Sequence, residues 1–289
     1  VTGTKAYLPY DLNVGQHVEK VWDVKRAITV LQQLNTKPII AFDYETTGLK
    51  PYDVGHRIVM VGISDGTTSY AIPFFDYDED FIQAYKTLMT NKRVKKICHN
   101  FKYEYNWTRK ILGYEIENVY WDTMLVAHIL DMRDGITGLK VQGYLKFGIS
   151  GYEKVTKKLL IADDKKTHGS NGKNALQYLE PRYLTENHRV WDLLLLYVAK
   201  DAALTYALYM KQRSELVDAD YKHLKKGIDL FMESSMTLAE MEYNGFVFDS
   251  EQCAKNKDDI KQRMEELQQL MKDTDEYSKW RQVHPDKEL

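Results

Sequence analysis

The sequence predicts an α/β fold, one mixed sheet flanked by helices, followed by a helical C-terminal part. Three observations lead there. Three short β-branched and aromatic runs follow one another between residues 38 and 74, with turn residues between them. From residue 80, helical periodicity alternates with short apolar strands. Beyond residue 190 the patterning is helical apart from one short extended piece. Strands in direct succession read as an antiparallel meander and strands separated by helices as parallel pairs, so the two together give a mixed α/β sheet.

The elements follow in order. Val18, Val21, Trp22, Ala27, Ile28, Leu31 and Leu34 recur at helical spacing and predict a helix over 18–34. The run PIIAFDY, 38–44, is a buried strand, and Thr47-Gly48-Leu49-Lys50-Pro51 is a turn. Strands over 57–64 and 68–74 are joined by Asp65-Gly66, a hairpin signal. A helix over 80–90, a strand over 95–99 and a helix over 103–112 follow, the last stopping at Gly113. A strand over 119–122 leads into a helix over 123–130. The middle of the chain is less regular, and the polar stretch 162–175 reads as a solvated loop carrying Lys165, Lys166 and Lys173. Long helices are expected over 190–216 and 229–243, the second stopping at Asn244-Gly245. After the extended 246–249, the charged stretch from Glu251 onward reads as one amphipathic helix with Ile260, Met264, Leu267 and Leu270 on its stripe. That helix is either solvated or belongs to a following domain.

Composition narrows the function classes. At 289 residues the chain suits one large domain, or one plus a smaller one. Its 44% hydrophobic and 28% charged residues exclude a collagen-like, disulfide-scaffold or wholly disordered chain. Lys+Arg of 40 against Asp+Glu of 42 leaves a net charge of −2, which excludes holding duplex DNA by bulk charge. The two cysteines, Cys98 and Cys253, suit a reducing compartment. The apolar run 193–199 is cut off by Lys200 and Asp201, short of the ~20 residues of a membrane span. The start, Val1-Thr2-Gly3-Thr4-Lys5, carries no signal pattern and no Met, as expected of a processed chain or a piece of a longer one.

Four carboxylates stand out. Asp43 and Glu45 end the first strand and, two residues apart, point to one face, where they can share a hard divalent cation. A lone D-x-E is weak, since Asp76 and Asp78 have the same spacing and a turn-capping Asp beside a solvated Glu would explain the pair. Asp43, however, follows Ile39-Ile40-Ala41-Phe42, where an unpaired charge is costly. Glu104 follows a strand and opens a helix, at the sheet edge where ligands gather in α/β folds. Asn100 as N-cap and Glu104 in the first turn would equally make a well-capped helix. Tyr197 and Asp201 share one face of the long helix. Together the four carboxylates could hold two ions ~3.5–4 Å apart, an arrangement suited to phosphodiester hydrolysis, with one ion activating water and the other stabilising the leaving oxygen.

These segments resemble a known family. Phe42-Asp43-Tyr44-Glu45-Thr46-Thr47-Gly48-Leu49 resembles the first motif of the DnaQ-like (DEDD) 3′–5′ exonucleases, Asn100-Phe101-Lys102-Tyr103-Glu104 the second, and Tyr197-Val198-Ala199-Lys200-Asp201 the third in its tyrosine form. Trp121-Asp122-Thr123-Met124 resembles a segment downstream of the second motif. Order and spacing over 38–209 are similar to the proofreading domain of family A (polymerase I-like) DNA polymerases, bacteriophage ones especially. Residues 238–249 look like the entry to the polymerase domain, and the charged helix like the start of its thumb.

The resemblance implies a ribonuclease H-like exonuclease domain over 1–215 and an incomplete polymerase start over 216–289, without palm or fingers and so without nucleotide addition. It implies that Asp43, Glu45 and Asp201 hold the water-activating ion, that Asp43 bridges to a second ion with Glu104, and that Tyr197 positions the water. Leu49 matches an apolar wedge against the terminal base. Asn100 and Tyr103 match residues near the strand's 3′ end, with Phe101 as a further stacking surface, and Thr46 lies beside the terminal nucleotide through its backbone. The expected cofactors are two Mg²⁺ or Mn²⁺ ions. The expected partners are a single-stranded DNA 3′ end or frayed primer–template and the rest of a polymerase chain, with no membrane, in the cytoplasm of a bacterial host.

One departure matters: the family usually has Asp where this chain has Glu104, one methylene longer, which bears on the second ion. The resemblance gives the nearby Asp122 either a structural role or one just behind the metal ligands. Two rivals remain, a ribonuclease D-like exoribonuclease, because the motifs do not read the 2′-hydroxyl, and a weakened exonuclease fold kept as polymerase scaffold. The continuation after Leu238 argues against the first, and the retention of Asp43, Glu45, Tyr197 and Asp201 against the second.

Overall fold

The chain lays down β1 (Val18–Lys20), α1 (Val24–Leu34), β2 (Ile39–Thr46), β3 (Ile58–Ser64), β4 (Ser69–Pro73), α2 (Glu79–Met89), β5 (Lys95–Cys98), α3 (Phe101–Trp107), β6 (Val119–Asp122), α4 (Thr123–Leu130), α5 (Leu139–Phe147), α6 (Arg189–Leu216) and α7 (Lys225–Asn244). Two more helices follow, α8 (Ser250–Lys272) and α9 (Asp275–Val283). This is a computed structural model, and it describes residues 18–149, 151–152, 176, 189–217, 222–285 and 287. The 162–175 loop with its three lysines lies outside the described residues. Contacts divide the chain into two units, Val1–Tyr243 and Asn244–Leu289.

The first unit is built on a six-stranded sheet in the order β1-β4-β3-β2-β5-β6. The meander β2–β3–β4 is antiparallel, and β5 and β6 add to β2 in parallel, as the alternation of strands and helices predicts. Strand alternation sorts β2 into two faces. Ile40, Phe42 and Tyr44 pack against α1 and α2, with Leu31, Leu34, Phe81 and Tyr85. Ala41 faces the other layer and meets Tyr209 of α6. Asp43 and Glu45 share that parity, so they emerge on the α6 side. By length and a mean hydropathy of 1.3, residues 190–216 could cross a membrane, yet 67% of that apolar window is buried within the fold. It is the core helix of the second layer, with Trp191, Leu194, Leu195 and Val198 against Val59 and Ala71.

Three expectations are corrected and one element is new. Residues 18–20 are a strand paired in parallel with Ser69–Ala71, and the helix begins only at Val24, where Asp23 Oδ1 accepts the Arg26 N–H at 2.8 Å. The apparent periodicity arose because Val18 and Trp22 serve the α6 layer while Ala27, Val30 and Leu31 serve the opposite core. The 103–112 helix is instead α3 from Phe101, followed by one π-helical turn, Thr108–Leu112, that ends at Gly113 with φ 75°. The helix over 139–147 starts at Gly138 without a side-chain cap, so no local signal marks it. In the second unit, the single expected helix is two, because Thr274 caps α9 through Oγ1, which accepts the Tyr277 N–H at 3.2 Å. Its apolar stripe, Ile260, Met264, Leu267 and Leu270, is exposed. Cys98 is buried and Cys253 exposed, and both are free thiols.

Candidate active site

Asp43 faces Gly62 across the β2–β3 ladder, and a bulge between Glu45 and Thr46 ends the regular pairing. Gly62 is where α6 reaches the sheet: a Cβ there would lie 2.2 Å from the Val198 carbonyl oxygen. Only glycine permits that backbone contact, which seats the next turn of α6, with Asp201, above Asp43. As a result one carboxylate oxygen from each of Asp43, Glu45 and Asp201 lies within 4.8 Å of the other two. Three oxygen donors at that separation suit a hard divalent cation.

Burial weighs against ionising these carboxyls. Loss of water pushes the Asp43 carboxyl up to about 8, and Asp201 adds to the rise while Lys140 opposes it. Glu45 is held well above the usual range by the same desolvation, then by Asp43 and Asp201. Asp201 itself is buried. Its Oδ2 is ion-paired with Lys140 Nζ, and its Oδ1 accepts the Tyr152 hydroxyl at 2.6 Å. The Lys140 ammonium lies 4.5 Å from the Tyr197 ring centroid and 5.0 Å from that of Tyr152. Burial and the neighbouring Asp201 raise the Tyr197 phenol far above its ordinary value, so it remains a neutral hydroxyl. Lys140 and Tyr152 carry no motif signal. They join the site because α5, and the segment after it that carries Tyr152, pack on α6 at Leu204 and Leu208, a contact that local patterning does not announce.

Glu104 sits at 2% exposure. Burial raises its carboxyl well above the usual range, and the nearby Asp43 raises it further. Its Oε2 has no hydrogen-bond partner. Among the described residues, the mutually close set is Asp43, Glu45 and Asp201, without Glu104. The orphaned, buried carboxylate oxygen of Glu104 is available to a cation, and a capping role does not account for it. The residues present therefore fit a divalent-metal centre.

The start of α3 departs from expectation. Asn100 occupies the N-cap position in the left-handed conformation, φ 71°, and its side chain makes no capping hydrogen bond. Asp122 caps the helix instead. Its Oδ1 accepts the Asn100 N–H at 3.0 Å and its Oδ2 the Phe101 N–H at 2.7 Å. The same Oδ1 accepts Met124 N–H at 2.8 Å and Leu125 N–H at 3.2 Å, so one carboxylate starts both α3 and α4.

The expected strand-binding residues separate. Leu49 is 84% exposed. Thr46 Oγ1 donates to the Gly48 carbonyl at 2.8 Å and lies 2.5 Å from the Tyr103 hydroxyl, which itself reaches Gly48 O at 3.1 Å. That triangle fixes the turn bearing Leu49 against α3. Phe101 is not a stacking surface: it is 2% exposed and packs on Tyr105 at 5.7 Å between ring centroids. It belongs to the core cluster with Cys98, Tyr105 and Trp107.

Comparison with known proteins agrees with this geometry. Residues 18–217 match the model of a 3′–5′ exonuclease family. The chain is 25% identical over 239 residues to a DNA polymerase of Bacillus phage SP01, covering 78% of this chain and 24% of that one. It is 24% identical over 203 residues to a DNA polymerase of Mycobacterium phage D29, covering 68% and 30%. The chain thus spans about a quarter to a third of the length of these relatives. Among solved structures, Escherichia coli RNase D shares the ribonuclease H-like fold at a TM-score of 0.54 and 16% identity, over 80% of this chain and 51% of that one. Brucella melitensis NrnC does so at 0.56 and 16%, over 82% and 100%.

Proposed function

The chain belongs to the 3′–5′ exonuclease family, and from that premise we propose that it hydrolyses the terminal phosphodiester of a single-stranded or frayed DNA 3′ end, releasing a 5′-dNMP, as the proofreading part of a DNA polymerase. The observation that carries this reading is the convergence of Asp43, Glu45 and Asp201 within 4.8 Å beside the orphaned Glu104 oxygen. DNA is favoured as substrate because the sequence relatives are phage DNA polymerases.

Asp43, Glu45 and Asp201 would hold one Mg²⁺ or Mn²⁺, and Asp43 with Glu104 a second. When bound, such ions supply an ionised water and positive charge at the leaving oxygen. The Tyr197 hydroxyl, kept neutral and one helical turn from Asp201, orients the attacking water. Leu49, projecting from the turn that Thr46 and Tyr103 brace, separates the last base from its neighbour, while Tyr103 and Asn100 line the path of the 3′ end. Contacts of this kind read no sequence, as a proofreader requires. Residues 216–289 are the start of the polymerase part.

The test is degradation of a 3′-mismatched primer–template and of an RNA strand of the same sequence, with Mg²⁺ or Mn²⁺, by wild type and Asp43→Ala. Stepwise DNA shortening, faster at the mismatch and lost in the variant, is expected. Preference for the RNA strand would replace the substrate with that of a ribonuclease D-like enzyme. No shortening by a folded protein would leave a scaffold.

A further inference from the structure

Glu104 is gripped from behind. The helix that carries it presents Lys102 and Asn106 on one face, and Arg109 follows in the π turn. All three meet the last turns of α7. Lys102 Nζ lies 2.5 Å from Glu242 Oε1, and Asn106 Nδ2 donates to Glu242 Oε2 at 2.8 Å. Arg109 donates to Glu240, and its guanidinium stacks over the Tyr243 ring at 3.9 Å. Glu242 thus spends both oxygens on α3. Glu104 lies two residues from Lys102, about 200° around the helix, so it projects from the side away from this clamp.

Ion pairs as exposed as Lys102–Glu242, at 30% and 47%, add little to stability. Three contacts with α7 do, however, fix where that helix sits. Position matters here because the Glu104 carboxylate is buried, unpartnered at Oε2 and close enough to Asp43 to feel its charge. Beyond Trp107 the helix widens into its π turn, where Thr108 Oγ1 donates to the Glu104 carbonyl at 2.8 Å, so regular helix does not brace it from that end. Asp122 pins the start and α7 the outer face.

We propose that Glu242, assisted by Glu240, is a positioning residue of the exonuclease site: by clamping α3 from α7 it sets the reach of Glu104 toward Asp43, and so the affinity for the second divalent cation. This rests on the two-ion reading above.

The experiment is Mn²⁺ titration of the full chain followed by electron paramagnetic resonance, with melting temperature and single-strand kinetics on the same samples. The variants are Glu242→Ala and, from the α3 side, Lys102→Met. Glu242→Gln, which keeps an acceptor for Asn106, should fall between wild type and Glu242→Ala. Glu117→Ala, which removes a surface partner of Lys92, is the control. Wild type should bind two Mn²⁺. In Glu242→Ala and Lys102→Met the weaker site should loosen about tenfold, the effect typical of outer partners of a metal ligand. The tighter site, the melting temperature and KM should hold while kcat falls. Affinities unchanged from wild type at both sites in the folded variants overturn the proposal, as does joint loss of both sites with a lowered melting temperature. Fewer than two Mn²⁺ in wild type instead overturns the two-ion reading on which it stands.

Discussion

Gly62 and Val198 meet where no side chain fits, since a Cβ on Gly62 would stand 2.2 Å from the Val198 carbonyl oxygen. The third carboxylate of the site owes its place to that contact. The obstacle is backbone, so a methyl group there must push α6 off the sheet. Gly62→Ala should lower stability by about 1–3 kcal/mol and weaken Mn²⁺ binding, because Asp201 moves with the helix. Gly227→Ala, at an α7 position with open space, should leave both intact. Calorimetry and Mn²⁺ titration of the two variants check this. Unchanged binding in Gly62→Ala would count against the role given to the contact.

The metal-free chain should become less stable as pH rises from about 6.5 to about 8, above the range in which buried His99, its imidazole pushed down to about 3, adds stability with rising pH. Asp43, with its carboxyl at about 8, keeps a proton that the unfolded chain has already released at the ordinary carboxylate value near ~4. The folded state therefore binds more protons in that window, and stability falls with pH. Glu45 and Glu104 act in the same direction. A divalent ion must displace these protons, so the rise in melting temperature caused by Mg²⁺ should grow toward pH 8. Thermal melts with and without Mg²⁺ from pH 5.5 to pH 9 test it, and Asp43→Asn should flatten the metal-free profile.

Lys140 holds a cation's place at Asp201. An arriving ion must compete with that ammonium, so Lys140→Met should tighten Mn²⁺ binding at the first site, by about tenfold if the competition is worth roughly 1.4 kcal/mol. Fluorescence or resonance titration of Mn²⁺ measures the constant. Weaker binding in the variant would show that Lys140 supports the site rather than competing for it.

Asp122 starts two helices at once. Asp122→Ala leaves the N–H groups of Asn100, Phe101, Met124 and Leu125 without their acceptor, and a lost cap costs about 0.5–2 kcal/mol per helix. Asp122→Asn keeps the Oδ1 that serves three of these four groups, so it should lie closer to wild type. Denaturant unfolding of the pair checks the order, and equal losses in both variants would count against the capping account.

The sequence by itself determined the local facts. Alternation along 39–46 placed Asp43 and Glu45 on one face, and the order of strands and helices determined the mixed sheet, because both are set by residues a few positions apart. Three motifs in order likewise made the carboxylate set and its family legible. Where neighbouring apolar residues serve opposite layers, as Val18 and Trp22 do against Ala27 and Leu31, periodicity misleads. Only the tertiary structure decided what surrounds the carboxylates: Lys140 and Tyr152 on Asp201 come from 61 and 49 residues away, and the cap on Phe101 from 21. It also turned Phe101 into core and Asn100 into a left-handed bend. Such contacts depend on how α5, α6 and β6 pack, and packing is decided by shape across the whole sheet, which no stretch of sequence carries within itself.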